Sequence, residues 1–288
     1  LILNLIWCWK SFIEKIEKII QQYKNQIHKY FSNFDIFVIF KSNKRIILFL
    51  IEQKIISIDK QIASEILTEK YDKYKYRQYF YPEIKPFLKS TEIDEINFED
   101  FSEDFGPKRK IGQTDSYLAK LIREDNIDDF IIYVNKSLIH LSSQIQISLF
   151  ETNSFLLKQQ KVTLIEYAAF FGSIQIFQYL CYEKVELQPS LWLFSIHSNN
   201  GELIHLLERN RVEIQNPNSL LFESIKCHHN NIANYIKDNK CDDTNHSIES
   251  LKFYNFNYIQ IDQIGQSSFY SLCKYDYYVL IDILLNNN

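Results

Sequence analysis

The chain has 288 residues and a mass of 34.6 kDa, with 46% hydrophobic and 24% charged residues. That composition excludes a disordered or fibrous chain, and the length fits one large domain, two ordinary ones or an array of repeats. A net charge of -4 and a pI near 6.0 leave no global basic field, which argues against nucleic-acid binding.

Leu1 to Trp9 is mostly apolar and reads either as the tail of a signal peptide or as the buried start of the next helix. From Trp9 to Phe31 the residues Phe12, Ile13, Ile16, Ile19, Ile20, Tyr23, Ile27, Tyr30 and Phe31 recur at spacings of three and four, which predicts an amphipathic helix. Ile36 to Ile58 is a second apolar helical region, broken by Lys41-Ser42-Asn43-Lys44. Residues 60–88 are rich in Tyr and Lys, with Pro82 and Pro86 expected to end any helix there. Residues 91–112 carry seven acids up to Asp104, then Gly106-Pro107 and Lys108-Arg109-Lys110, and read as an acidic linker or loop. The expected organisation is therefore an N-terminal helical region over 1–90, a linker over 91–112 and a helical array over 113–288.

Common catalytic signatures are missing. No two of Gly106, Gly112, Gly172, Gly201 and Gly265 are separated by a single residue, so no dinucleotide loop can form, and no phosphate-cradling loop, zincin or nucleophile-elbow pattern occurs. No enzyme activity, cofactor or small-molecule substrate is expected. No apolar run approaches the ~20 residues of a membrane helix. Five scattered cysteines, Cys8, Cys181, Cys227, Cys241 and Cys273, fit a reducing, cytoplasmic setting better than a disulfide framework. The excess of Ile, Lys and Asn reads as coding pressure. Met is absent and the chain begins at Leu1, so a fragment of a longer protein is expected.

Four 18-residue segments align without gaps: Thr163 to Leu180, Ser190 to Leu207, Ser219 to Ile236 and Ser267 to Leu284. Fixed-period self-similarity marks a repeat architecture. The first column, Thr163, Ser190, Ser219 and Ser267, holds helix N-caps. The tenth, Gly172, Asn199, His228 and Asp276, holds residues that tolerate positive φ and can reverse the chain. Ile176, Leu203, Ile232 and Leu280, with the closing pairs Tyr179-Leu180, Leu206-Leu207, Tyr235-Ile236 and Ile283-Leu284, give each second helix an apolar face. The clear units are 163–187, 190–214, 219–240 and 267–287, with a degenerate one expected around Ser250 to Ile259 and another near 36–58.

Thr163-Leu164-Ile165-Glu166-Tyr167-Ala168-Ala169-Phe170-Phe171-Gly172 resembles the ankyrin-repeat signature, with Leu164 and Glu166 standing where that family has Pro and His. Phe40 to Ile51, Tyr79 to Pro86, Glu151 to Leu156 and Leu272 to Tyr278 resemble a divergent ankyrin-type set, a domain of unknown function expanded in protists with AT-rich genomes. The resemblance implies an all-α, ankyrin-like helical solenoid of about six short helix-turn-helix units with shortened or missing β-hairpin fingers. It also implies a concave face built from the two residues before each inter-helix turn: Phe170, Phe171, His197, Ser198, Lys226, Cys227, Lys274 and Tyr275. A non-catalytic scaffold for a protein partner is the expected function. The alternatives are a metal-binding protein or enzyme centred on Cys227, His228, His229 and Cys241, with Asp242, Asp243 and His246 nearby, and a targeting arm of a larger protein. The loose spacing of that cluster is not the paired spacing of zinc ligands. Trp192, Phe194, Tyr275, Tyr277 and Tyr278 are assigned to packing by their helical spacing.

Overall fold

A computed structural model describes residues 10–68, 75–88, 102–159, 161–241, 247–259 and 266–286. Leu1 to Trp9, most of the acidic stretch, and Asp242, Asp243 and His246 lie outside the described residues. The chain is mostly helical, and one short strand pair, β1 (Gln144–Ile145) with β2 (Val162–Thr163), occurs among the described residues. No described helix is long and apolar enough to cross a membrane. Two compact units emerge: residues 6–120 with 144–162, and residues 121–143 with 163–288.

In the first unit, the segment read as one helix over 9–31 forms α1 (Lys10–Gln22) and α2 (Lys24–Tyr30), parted at Tyr23. Ile16 and Ile20 are buried, whereas Ile19, Tyr23, Tyr30 and Phe31 remain exposed, so the apolar stripe is only partly covered. The second apolar region divides into α3 (Asn33–Phe40) and α4 (Lys44–Glu52). Ser32 and Asp35 form a capping box on α3, and the Asn43 side chain accepts from Arg45 N and Ile46 N to cap α4. After α5 (Lys60–Ile66) and α6 (Tyr76–Tyr79), Pro82 lies in the first turn of α7 (Tyr81–Ile84). It opens that helix rather than ending one, because proline lacks only a donor that the first turn leaves unpaired.

The later part of the stretch read as a linker is α8 (Phe105–Ile111), capped by Gly112 at φ 69. Its basic cluster is paired within the chain. Lys108 meets Asp115, Arg109 meets Glu83 and Lys110 meets Glu52. Residues 144–162, including α11 (Ser154–Lys158), pack with this unit through Phe150 against Phe105 and through buried Glu151.

The chain enters the second unit within α9 (Tyr117–Arg123) and continues as α10 (Ile127–Lys136). Then follow α12 (Leu164–Phe171), α13 (Ile174–Tyr182), α14 (Leu191–Ser198), α15 (Gly201–Arg209), α16 (Pro217–Lys226) and α17 (Asn230–Lys240). The degenerate segment forms α18 (Ser247–Phe253) and a 3₁₀ turn at Phe256–Tyr258, and α19 (Gln266–Lys274) and α20 (Tyr278–Asn286) close the unit. Between the two helices of each pair sits one left-handed residue: Asp125, Gly172, Asn199, His228, Tyr254 or Asp276. Four of these are the turn residues expected from the alignment. At all but Asn199, the next backbone N–H donates to the carbonyl four residues before the left-handed one, satisfying a helix-end acceptor.

A second left-handed position closes the second helices, at Lys184 and Arg211, with Leu138 after α10 and Lys54 after α4 in the first unit. Their side chains carry no turn signature. What identifies the turn is the apolar residue after each, Val185, Val212, Ile139 and Ile55, whose N–H reaches back to Leu180, Leu207, Val134 and Leu50.

Gly172 and Gly112 use their conformational freedom differently. A Cβ at Gly172 would meet Ser198 Cβ at 3.4 Å, an ordinary contact. Gly172→Ala is therefore expected to cost only the left-handed backbone term, about 1 kcal/mol. At Gly112 a Cβ would come within 2.9 Å of Thr152 Oγ1, whose hydroxyl is held on Gly112 O. Gly112→Ala should lower the melting temperature more than Gly172→Ala, and equal melting temperatures would refute the packing argument.

Candidate functional site

The caps explain how consecutive pairs are joined. Thr163 and Glu166 form a capping box at the start of α12. Glu166 also accepts from Ser190 Oγ at 2.6 Å, so the residue standing in the family's His position ties one pair to the next. Ser190 makes no cap bond of its own. Ser219 is not a cap either: it lies inside α16, whose cap is Asn216. Ser219 gives way to the Asn216 oxygen, and Ser190 sits in helical rather than extended backbone, where its hydroxyl is not placed to accept from the first turn.

A second joint recurs with changing chemistry. After four of the left-handed turns, at Gly172, His228, Tyr254 and Asp276, the next side chain bonds the carbonyl three residues before the turn of the preceding pair. Ser173 Oγ reaches Ile122 O, His229 Nδ1 reaches Ile196 O at 2.7 Å, Asn255 Nδ2 reaches Ile225 O at 3.0 Å, and Tyr277 OH reaches Leu251 O at 2.8 Å. These acceptors belong to the last turn of a helix, where carbonyls lack internal partners. Burial pushes the His229 imidazole down to about 4, so the ring is neutral and its Nδ1 donates. First helices accordingly pack on first helices, α12 on α14, α14 on α16, α16 on α18 and α18 on α19.

This stacking sorts the expected concave-face residues. Phe170, His197, Ser198 and Cys227 are buried, Phe171, Lys226 and Tyr275 are half-buried, and Lys274 is exposed. Phe170 is withdrawn because its ring stacks on His197 with centroids 5.1 Å apart. Trp192, Phe194 and Tyr277 are core residues, but Tyr278 is exposed, contrary to its assignment to packing.

The cluster around Cys227 has different members from those expected. His228 points to Phe253 O and His229 to Ile196 O, and Cys241 is the half-buried C-cap of α17. Cys227 instead meets His197, with Sγ 3.7 Å from Nδ1. On its other edge His197 Nε2 lies 3.1 Å from Glu223 Oε1, and Lys226 Nζ donates to the same oxygen at 2.6 Å. Among the described residues, this trio is the group whose donor atoms all lie within 4.8 Å of one another. Burial would lower the His197 pKa, but Cys227 and Glu223 outweigh it and hold the imidazole up to about 9. Burial likewise works to raise Glu223, and His197 with Lys226 bring it down to about 2. Glu223 and Cys227 are four residues apart, hence on one side of the same helical stretch. His197 is contributed by the preceding first helix. Sequence reasoning missed Glu223, because nothing marks one acid on a helix until the register of its neighbour is known.

No protein-family model, curated protein or solved structure matches the chain.

Proposed function

We propose that residues 121–288 form an ankyrin-like solenoid that serves as a non-catalytic protein-interaction module. The observation that carries this reading is the repeated bond from the residue after one turn to the helix-end carbonyl of the preceding pair. Such a joint recurs at four steps, the Ser190–Glu166 bond serves at the step between α12 and α14, and repeated stacking creates an extended surface without a cofactor.

One register of that surface has a consistent character. Two residues before the successive left-handed turns stand Arg123, Phe170, His197, Lys226, Lys252 and Lys274. The last three are Lys, and both Lys252 and Lys274 are exposed. A partner carrying acidic side chains fits this basic end, with half-buried Phe171 offering an aromatic anchor at the other. This reading is preferred to a Cys227 nucleophile because the thiol is 1% exposed and a substrate carbonyl has no approach to it.

The test uses exposed residues, because removing the Phe170 ring would disturb packing as well as surface. The double charge reversal Lys252→Glu with Lys274→Glu is expected to keep the melting temperature within a few degrees and to abolish partner recovery from native lysate. Undiminished recovery would refute the assigned surface.

A further inference from the structure

We propose that the outer side of α19 and α20, the last helix pair, is a dimerisation face that binds the same face of a second copy of the chain. This goes beyond the interaction reading, because it rests on how the pairs stack and not on the lysine register.

The last pair departs from the others at fixed places. Three residues before the left-handed turn, the five earlier pairs have Ile122, Ala169, Ile196, Ile225 and Leu251, all completely buried. The last pair has Cys273 there, and it is exposed. Seven residues before the turn, Ile165, Trp192 and Leu221 are at most 2% exposed, whereas Phe269 is 39% exposed. On α20, Ile281 is half-buried where its counterparts Phe177, Ile204 and Ala233 are buried.

Neighbouring places show what covers this side elsewhere. Six residues before the turn, Glu166 accepts from Ser190, and Phe222 meets Phe253 with ring centroids 5.1 Å apart. Two residues before it, Phe170 stacks on His197. Each is a contact with the following pair. The last pair has Tyr270, 72% exposed, and Lys274, also exposed, at these two places. Places seven, six, three and two before the turn share one side of a helix. The side of α19 that every earlier first helix buries under its successor is therefore bare and mostly apolar, where the end of a repeat stack is ordinarily polar.

A second copy supplies an apolar face of the same helix-pair dimensions. Lys274 and Asp276 are both exposed at the turn end of this face and carry opposite charges. A copy turned over by a two-fold axis sets Asp276 toward Lys274 and Lys274 toward Asp276. Two-fold pairing covers the bare side of both copies, whereas head-to-tail growth leaves one bare at the end of every chain of copies.

Sedimentation velocity of the full chain across the micromolar range tests this, and a reversible monomer–dimer equilibrium is expected. Tyr270→Glu and Phe269→Glu each place a carboxylate on both sides of the interface and should weaken dimerisation by about tenfold or more, with unchanged far-ultraviolet circular dichroism. Tyr270 is the more exposed of the two, so its variant reads the interface even if Phe269→Glu loosens the last pair. Val279→Glu is the control: Val279 is 52% exposed, but its counterparts Gln175, Glu202 and Asn231 are exposed too, so it lies off the stacking side and its dimer should persist. Lys274→Glu should weaken the dimer, and adding Asp276→Lys should restore it. A chain that stays monomeric, a dimer that survives Tyr270→Glu, oligomers that grow beyond the dimer, or a dimer lost in Val279→Glu would each overturn the proposal. Tyr270→Glu leaves Lys252 and Lys274 in place, so its partner recovery is read separately and the two readings can fail independently.

Discussion

Replacing Glu151 with Ala is expected to remove about 3–5 kcal/mol from the stability of the chain, the range for breaking a buried charged network by deleting one partner. Glu151 is 1% exposed. Its Oε2 accepts from Thr114 N and Thr114 Oγ1, both at 3.1 Å, and its Oε1 accepts from Thr152 N at 3.0 Å and Asn153 N at 2.9 Å. Burial raises its pKa while these donors pull the other way. Deleting the carboxylate removes an acceptor from Thr114 N, Thr114 Oγ1 and Asn153 N, while Thr152 N keeps Gly112 O, and Thr114 is itself completely buried. The carboxylate bridges the loop after α8, at Thr114, to the loop before α11, at Thr152 and Asn153, and its loss leaves the bonds from Thr152 to Gly112 O to hold the two together. Glu151→Gln keeps one acceptor oxygen and turns an amide toward two donors, so a smaller loss of about 1–3 kcal/mol is expected. Urea unfolding of both variants measures the difference. A loss below about 1 kcal/mol for the Ala variant would mean that water replaces the carboxylate.

How far the fold was readable depended on whether one residue type has to do a job. Left-handed turns inside the helix pairs were legible at Gly172, Asn199, His228 and Asp276, because those residues tolerate positive φ better than most. The turns closing the second helices were not, because Lys184, Arg211 and Leu138 are not turn residues. There the apolar side chain that follows is drawn into the interior, and the backbone is carried with it. The joint between pairs was illegible for a related reason. Ser173, His229, Asn255 and Tyr277 share a hydrogen-bond donor at a common register and nothing else, so a column of letters looks unrelated where a column of functions is uniform.

The candidate sites show the same division. Ligand type and closeness along the chain group Cys227 with His228 and His229, without the paired spacing of zinc ligands, and each of the two histidines bonds a backbone carbonyl elsewhere. The partners Cys227 meets are a residue four earlier on its own helix and one from the preceding pair. Once the turns are aligned, His197 stands two places before one turn and Cys227 one place before the next, so their meeting follows from register together with stacking. The resemblance places Phe170 on a surface by its position before a turn. The same place in a stacked pair brings its ring against His197, and the next residue, Phe171, keeps the partial exposure.

In the first unit, three stretches that carried the family resemblance converge through Lys44, Tyr79 and Glu151, and here a large pH effect is expected. Lys44 is 1% exposed, donates to Leu149 O at 2.7 Å and lies 4.9 Å from the Tyr79 ring centroid. Burial brings its pKa down from 10.5 to about 7. Glu151 opposes that shift and Lys75 adds to it. Because the folded value lies below the unfolded one, the unfolded chain holds a proton that the folded chain lacks across this window. Stability therefore rises with pH between the two values, and below the folded pKa the penalty is fully present and constant. Between about pH 7 and about pH 9.5 the gain is about 3 kcal/mol. Other groups titrate in the same range, so the informative quantity is the change in slope when the amine is removed. Lys44→Met should flatten the rise by that amount in urea unfolding followed across the window, whatever its stability at neutral pH, since the lost bond to Leu149 O is the same at every pH. Parallel curves for the two proteins would place the ammonium, fully charged, inside the folded unit. Glu151 and the Tyr79 ring would then be holding a buried charge instead of surrounding a neutral amine.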